Sequence, residues 1–130
     1  MHDLSDWNVL IVDDEPDNRG VLEFVLTTYN AAVRTAASAQ QCLDIMEEKA
    51  PTLLLADIQM AGMSGIELLA KVREREDWRA IPVIAITAFA MPGDRERILA
   101  AGFNGYISKP LSVMQLVDQL QELIAQKAGS

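Results

Sequence analysis

The sequence predicts a doubly wound α/β fold, in which a five-stranded parallel sheet carries helices on both faces. Short apolar runs alternate with longer stretches of helical period, which is the order that successive βα units produce. Several of the short runs are apolar at consecutive positions, as expected for strands that are covered on both faces. The length of 130 residues suits one ordinary domain with a single core.

The five strands are predicted from apolar and β-branched runs. Because parallel neighbours need long connections, each run is followed by a helical segment, and right-handed crossovers are expected. In chain order the predicted strands are NVLIV at 8–12, AVRTA at 32–36, LLLA at 53–56, PVIAIT at 82–87 and GYIS at 105–108.

The helices between these strands are predicted from the residues that start and stop them. Pro16 and Pro92 stand where the first and fourth helices should begin, and Gly102 is placed to end the fourth in a left-handed cap. Three pairs match the capping box, in which side chains satisfy free N–H groups of the first helical turn: Ser38 with Gln41, Ser64 with Glu67, and Ser112 with Gln115.

Composition excludes several classes of function. A net charge of −8 argues against nucleic acid as the main partner, because phosphate contacts need a basic face. Cys42 is the only cysteine and His2 the only histidine, so an internal disulfide and a cysteine- or histidine-based metal site are excluded. Cys42 is predicted to be a small core residue. Without a basic leader or an apolar run of about 20 residues, we expect a cytoplasmic protein that does not insert into membranes.

Polar residues follow the predicted strands at the points where the strands end. Asp13 and Asp14 come after the first strand, Asp57 after the third and Lys109 after the fifth, while Thr87 closes the fourth. In a doubly wound sheet the binding crevice lies outside these carboxyl ends. Two carboxylates about 4 Å apart repel by about 4 kcal/mol at an effective dielectric of 20. A hard divalent cation such as Mg²⁺, together with the lysine, would offset that repulsion.

Four segments of the chain resemble the receiver domains of two-component response regulators. They are VLIVDDEPDN, LLLADIQM with GMSG, PVIAITAFA and GYISKPL, in the order that this family shows. The resemblance covers nearly all of the chain. It implies a flavodoxin-like sheet of order 2-1-3-4-5 and a single receiver domain over residues 1–130, with a core at about 7–126 and frayed ends.

The resemblance also implies a phosphorylation site. Asp57 would accept a phosphoryl group from a histidine kinase or a histidine phosphotransfer protein. Asp14 and Asp57 would ligate Mg²⁺, for which Mn²⁺ can substitute, together with the backbone carbonyl of Gln59. Asp13 would act mainly through a metal-bound water. Gln59 and Phe89 occupy the positions that tune hydrolysis in the family.

A switch is implied by the same resemblance. Lys109 would pair with the phosphoryl oxygens, and the Thr87 hydroxyl would bind one of them. Tyr106 matches the aromatic residue that turns inward when Thr87 shifts. The peptide bond before Pro110 is expected to be cis, which aims the lysine into the pocket. Together these changes would alter the face formed by the fourth helix, fifth strand and fifth helix, where a downstream protein partner binds.

One position departs from the family pattern. The family usually has a proline after the methionine of the loop beyond the phosphorylated aspartate, and this chain has Ala61 there. Losing a compatible proline costs about 0.4–1 kcal/mol through the entropy of the unfolded chain. We therefore expect a somewhat looser loop around an intact site.

The function expected from these residues is that of a signalling module. It would be a phosphoryl acceptor that catalyses only its own phosphorylation and dephosphorylation, and is otherwise not an enzyme. Since no further segment follows the fifth predicted helix, output is expected through a protein partner, unless the chain is a receiver cut from a hybrid kinase.

Two alternatives stay open. One is an aspartyl-nucleophile phosphohydrolase, which would need a D-x-D motif after the first strand, where this chain has Asp13, Asp14 and Glu15. The other is a receiver-like module that binds partners without phosphorylation, although the complete set of acids, threonine and lysine argues against it.

Overall fold

The computed structural model describes residues 3–88 and 92–129, with side chains described up to residue 125. Within these residues the strands are β1 (Asn8–Val12), β2 (Ala32–Ala36), β3 (Leu53–Ala56), β4 (Val83–Thr87) and β5 (Gly105–Ser108). The helices are α1 (Pro16–Thr28), α2 (Ala39–Glu48), α3 (Gly65–Glu74), α4 (Asp94–Ala100) and α5 (Leu116–Gly129), with a short 3₁₀ helix at Glu76–Trp78.

The sheet is parallel throughout and has the order β2-β1-β3-β4-β5, which confirms the predicted fold class and the flavodoxin-like order. The direction of winding reverses at β1, so that β1 and β3 flank the switch point. Val12 at the end of β1 lies opposite both Ala36 and Ala56. This register brings the residues that follow β1 and β3 to the same edge of the sheet.

The sheet separates two buried layers. Leu10 and Leu54 face the layer under α2 and α3, whereas Val9 and Leu53 face the layer under α1 and α5. Because alternate residues of one strand point to opposite faces, an apolar run of this kind fills both layers at once. The consecutive apolar residues in the sequence are therefore explained by burial on both sides.

Most of the predicted strand and helix ends are observed. Pro16 is the first residue of α1, and Gly102 follows α4 with a φ of 115°. The Ser38 and Ser64 hydroxyls accept hydrogen bonds from the N–H groups three residues later, at 3.1 and 3.2 Å. β4 begins one residue after Pro82, whose carbonyl accepts the Leu54 N–H at 3.0 Å.

Two helix starts differ from the predicted positions. α4 begins at Asp94, two residues after Pro92, because Gly93 adopts a φ of 90° and delays the first turn. α5 begins at Leu116, after a turn in which the Ser112 carbonyl accepts N–H groups from Gln115 and Leu116 at 3.1 and 2.9 Å. In both places a tight turn occupies residues for which the sequence predicted a helix.

Arg73 connects α3 to the edge of the sheet opposite the strand carboxyl ends. Its guanidinium donates to the Ile81 carbonyl and to the Asn104 side-chain oxygen, both at 2.8 Å. The same Asn104 oxygen accepts the Val83 N–H at 2.8 Å. Burial lowers the pKa of Arg73 below its ordinary value. This network joins the end of α3, the start of β4 and the turn before β5.

Cys42 is a core residue, as predicted. Its side chain is fully buried on α2, against the layer that contains Leu10 and Leu54. Burial raises the pKa of the thiol to about 12, against a smaller lowering by Arg34. Because only the thiolate is a good nucleophile, this thiol is inert in the folded protein near neutral pH. Across the described helices, none has the length and apolar character needed to cross a membrane.

Candidate functional site

The carboxylates that follow β1 and β3 meet at the edge of the sheet. Asp13 and Asp57 each stand one residue beyond a paired strand position, and their N–H groups extend the ladder by one bond. The Asp13 N–H donates to Ala36 at 3.2 Å and the Asp57 N–H to Val12 at 3.1 Å. One carboxylate oxygen from each of Asp13, Asp14 and Asp57 lies within 4.8 Å of the other two. The structure thus forms a cluster of three carboxylates, the acidic cluster.

The members of the acidic cluster differ in exposure. Asp13 and Asp57 are only 2% and 5% exposed, whereas Asp14 is open to solvent. An Asp57 carboxylate oxygen, Oδ1, accepts the Gln59 N–H at 3.3 Å, and Asp13 Oδ1 accepts the Glu15 N–H at 2.9 Å. The buried pair is therefore held by local backbone donors, and the exposed member leaves one side of the cluster accessible.

Lys109 reaches the acidic cluster from β5. Its ammonium lies 2.9 Å from Asp57 Oδ2, 3.0 Å from Asp13 Oδ2 and 3.8 Å from Glu15 Oε1. The lysine side chain is only 11% exposed. Burial by itself lowers the pKa of Lys109, but hydrogen bonds and charges from Asp57 and Asp13 outweigh it, so the net pKa is raised. The lysine is thus held in its charged form beside two carboxylates.

The lysine does not balance the acidic cluster. Three carboxylates and one ammonium leave two negative charges uncompensated within this group of four side chains. At separations near 4 Å such charges repel by several kcal/mol at an effective dielectric of 20. The remaining oxygen atoms are hard donors of the kind that bind divalent cations, so the cluster could hold a metal ion.

Thr87 and Lys109 are coupled through the backbone. Thr87 is buried at the end of β4, opposite Ser108 in the register of β5. The Lys109 N–H donates to the Thr87 carbonyl at 2.9 Å. This hydrogen bond joins the end of β4 to the residue that carries the ammonium group.

The other residues of the predicted switch lie on or beyond β5. Tyr106 is half-buried opposite Ala85, packs against the core layer under α2 and α3, and lines a groove together with Arg95. The peptide bond between Lys109 and Pro110 is cis, as the resemblance implied. Phe89 lies outside the described residues.

Gly65 supports the site, and the sequence did not single it out. A Cβ built on Gly65 would stand 2.1 Å from the Asp57 carbonyl oxygen and 3.0 Å from the Ile58 Cα. The Gly65 N–H donates to the Ile58 carbonyl at 2.9 Å. α3 therefore starts in direct contact with the backbone of the acidic residue at the end of β3. Two glycines in this loop were visible in the sequence, but such a contact between distant backbones has no local signal.

The structure also has an exposed apolar patch that was not predicted from the sequence. We call it the α1 patch, and it consists of Val21, Phe24, Val113 and Met114. Phe24 is 70% and Met114 90% exposed. Pro16 continues the same depression toward the residues that follow β1. The chain thus connects the patch to the acidic cluster twice, through Pro16 after β1 and through Val113 after Lys109.

Comparison with known proteins identifies close relatives over most of the chain. A family model described as the response regulator receiver domain matches residues 9–121. An uncharacterized 14.6 kDa protein of Leptolyngbya boryana is 38% identical, covering 94% of this chain and 93% of that protein. The polar-differentiation response regulator DivK of Brucella ovis is 37% identical, covering 90% and 95%. The chemotaxis response regulator CheY4 of Vibrio cholerae has a TM-score of 0.83 at 26% identity, covering 88% and 96%.

Proposed function

Because the chain belongs to the response regulator receiver domain family, we propose that its phosphoryl acceptor is Asp57. Members of this family are signalling proteins of two-component systems rather than classical enzymes, and they act between a phosphodonor and downstream partners. The observation that carries the proposal is the contact of 2.9 Å between Asp57 Oδ2 and Lys109 Nζ inside the acidic cluster. A buried carboxylate beside a fixed positive charge suits the transfer of an anionic phosphoryl group.

The reaction follows from the surroundings of Asp57. One carboxylate oxygen attacks phosphorus in line with the leaving nitrogen of a phosphohistidine, the P–N bond breaks, and the new P–O bond forms an acyl phosphate. The imidazole leaves with the electron pair of the broken bond. Lys109 stands beside the attacking group and stabilises charge on the phosphoryl oxygens, and Thr87 offers its hydroxyl to one of them. Catalysis of phosphoryl transfer depends mainly on this kind of positioning and charge stabilisation.

The acidic cluster fits Mg²⁺. Its donors are hard carboxylate oxygens, two negative charges remain after pairing with Lys109, and Asp14 is exposed on the accessible side. Asp14 and Asp57 would hold the ion with the Gln59 carbonyl, while Asp13 would act through water. When bound, the ion neutralises charge on the phosphoryl oxygens. Mn²⁺ has similar oxygen preferences and can substitute.

The switch uses the coupling between β4 and β5. When Thr87 moves toward the phosphoryl group, its carbonyl draws the N–H of Lys109, and the half-buried Tyr106 turns further into the core. The face of α4, β5 and α5 then changes shape for a downstream protein. A full shift from 1:99 to 99:1 requires about 5.5 kcal/mol of preference for the active form. Gln59 and Phe89 stand at the sequence positions that tune hydrolysis in the family, and we assign them the same role here.

The phosphodonor is a histidine kinase or a histidine phosphotransfer protein, and it docks on the α1 patch. The patch is apolar, and the depression that contains Phe24 and Val113 extends to Pro16, which follows Asp14 and Glu15 in the chain. Exposed patches of this kind mark interaction sites. The acidic net charge argues against nucleic acid as the direct partner.

The acceptor is tested with acetyl phosphate as a small donor. The wild-type chain should gain the mass of one phosphoryl group in the presence of Mg²⁺ and none in excess EDTA. Asp57→Asn should gain none, while Asp6→Asn, an exposed substitution on the opposite edge of the sheet, should match the wild type. Undiminished labelling of Asp57→Asn, or labelling in EDTA, would contradict the proposal.

Docking is tested by comparing two donors. Phe24→Ser should slow transfer from a phosphorylated donor protein, because truncating a central apolar anchor typically costs at least about 1 kcal/mol of binding. The same variant should take phosphate from acetyl phosphate at the wild-type rate, since this donor needs no docking surface. Equal loss with both donors would mean that Phe24 acts through folding and would refute the docking role.

A further inference from the structure

We propose that the backbone N–H of Ala61 positions the Asp14 carboxylate for binding a divalent cation. The inference rests on the proposed function, because it assigns Mg²⁺ to the acidic cluster. The Ala61 N–H donates to Asp14 Oδ2 at 3.1 Å, across 47 residues of sequence. The bond joins the turn after β1 to the loop between β3 and α3.

Asp14 needs such a donor more than its neighbours do. Asp13 and Asp57 are buried and contact Lys109, whereas Asp14 is exposed. An exposed side chain samples several rotamers, and fixing one for metal binding costs conformational entropy. A hydrogen bond to an ionised carboxylate is of the stronger, charge-assisted kind. The Ala61 N–H therefore offsets part of that cost before any ion arrives.

The loop that carries Ala61 holds two members of the acidic cluster at once. The Gln59 N–H donates to Asp57 Oδ1 at 3.3 Å, and two residues later the Ala61 N–H donates to Asp14. The loop is anchored at its far end, where Gly65 contacts the Asp57 carbonyl. One short segment, anchored at Gly65, thus donates a hydrogen bond to each of the two carboxylates that the β1–β3 register brings together.

This contact depends on the type of residue at position 61. Proline has no backbone N–H, so a chain with proline there could not make the bond to Asp14. Alanine at position 61, where the family usually has proline, therefore allows a hydrogen bond between this loop and the turn after β1. This hydrogen bond leaves Asp14 able to bind an ion, because a carboxylate has about four lone-pair sites and the bond uses one.

The effect should be visible in metal affinity. Hydrogen bonds that orient metal ligands typically change metal affinity 10–100-fold when they are removed. For a single bond to one exposed ligand we expect the lower end, about tenfold. The role is one of positioning, because Ala61 does not touch the phosphoryl group in the proposed reaction.

The experiment deletes the backbone N–H of Ala61 and measures Mg²⁺ binding to the full chain by calorimetry, without a phosphodonor. Replacing the amide at Ala61 with an ester, by incorporating lactic acid there, deletes only the N–H. Ala61→Pro deletes it genetically, and Ala61→Ser retains it. We expect the ester chain and the Ala61→Pro variant to bind Mg²⁺ about tenfold more weakly than the wild type. The Ala61→Ser variant should keep the wild-type affinity.

A second comparison locates the effect. In an Asp14→Ala background the ester and amide chains should bind Mg²⁺ equally, and a persisting tenfold difference would show that the N–H acts elsewhere. An ester chain that binds as tightly as the wild type, or more tightly, would overturn the inference alone. A wild-type chain that binds no Mg²⁺ would overturn both the inference and the metal site of the proposed function.

Discussion

The contact between Gly65 and the backbone of Asp57 makes Gly65→Ala the sharpest test of how the fold supports the site. The added Cβ would lie 2.1 Å from the Asp57 carbonyl oxygen, about 1.3 Å short of an ordinary contact at 3.4 Å. Both obstructing groups are backbone, so no side chain can rotate away. The start of α3 must move by about that amount, and the Gly65 N–H bond to Ile58 is weakened with it.

The cost can be worked from these two effects. Overpacking of this kind costs about 1–3 kcal/mol, and the weakened hydrogen bond adds about 1 kcal/mol, giving about 2–4 kcal/mol in the free energy of unfolding. With a urea m-value of about 2 kcal/mol per molar, the midpoint of unfolding should fall by about 1–2 M. Phosphate uptake should slow by up to about 100-fold, since a displacement of about 1 Å at a reacting group can cost that much.

Gly20→Ala is the matched control for this substitution. Gly20 lies on α1 with no heavy atom within 4 Å of a built Cβ. A glycine in an exposed helix interior is destabilising by about 0.5–1 kcal/mol relative to alanine, so Gly20→Ala should raise the midpoint slightly. Urea unfolding followed by circular dichroism measures both variants. A Gly65→Ala protein as stable as the wild type would refute the close approach of α3 to Asp57.

Three further predictions follow from the electrostatics and from the buried groups. Because the pKa of Lys109 is raised in the folded state, its stabilisation is complete below the unfolded pKa of about 10.4 and is lost as pH rises through the folded pKa. The difference in unfolding free energy between the wild type and Lys109→Met should therefore shrink above about pH 10, and a constant difference would contradict the pairing. Cys42 should not react with a thiol reagent at pH 8 until urea unfolds the chain; rapid labelling of folded protein would contradict its burial. Arg73→Met should cost about 2–4 kcal/mol in urea unfolding, because it leaves the Ile81 carbonyl without that donor and breaks the bond to Asn104; an unchanged midpoint would exclude that anchoring role.

The sequence predicted the fold through features that are local. Consecutive apolar residues in β1 and β3 marked strands covered on both faces, and Ser38 and Ser64 marked helix starts. The position of a residue directly after a strand predicted that Asp13 and Asp57 would share one edge of the sheet. The strand order needed the family resemblance, because periodicity gives the number of strands but not their neighbours.

Two kinds of feature were not predicted from the sequence. Some depend on contacts between distant segments, and others depend on which of several apolar residues in a helix is exposed. The contact of Gly65 with Asp57 and the bond from Ala61 to Asp14 join segments that only the folded sheet brings together. The exposure of Phe24 could not be predicted, because helical period shows that α1 has an apolar face without showing which apolar residue lies off it.

The most direct test of the central claim is to map the phosphorylated residue. The chain is incubated with acetyl phosphate and Mg²⁺, and the acyl phosphate is then reduced with borohydride, which converts the modified aspartate to homoserine. Tandem mass spectrometry of the peptides should find homoserine at position 57 and nowhere else in the acidic cluster. Homoserine at position 13 or 14, or the absence of any reduced residue, would contradict the assignment of Asp57 as the phosphoryl acceptor.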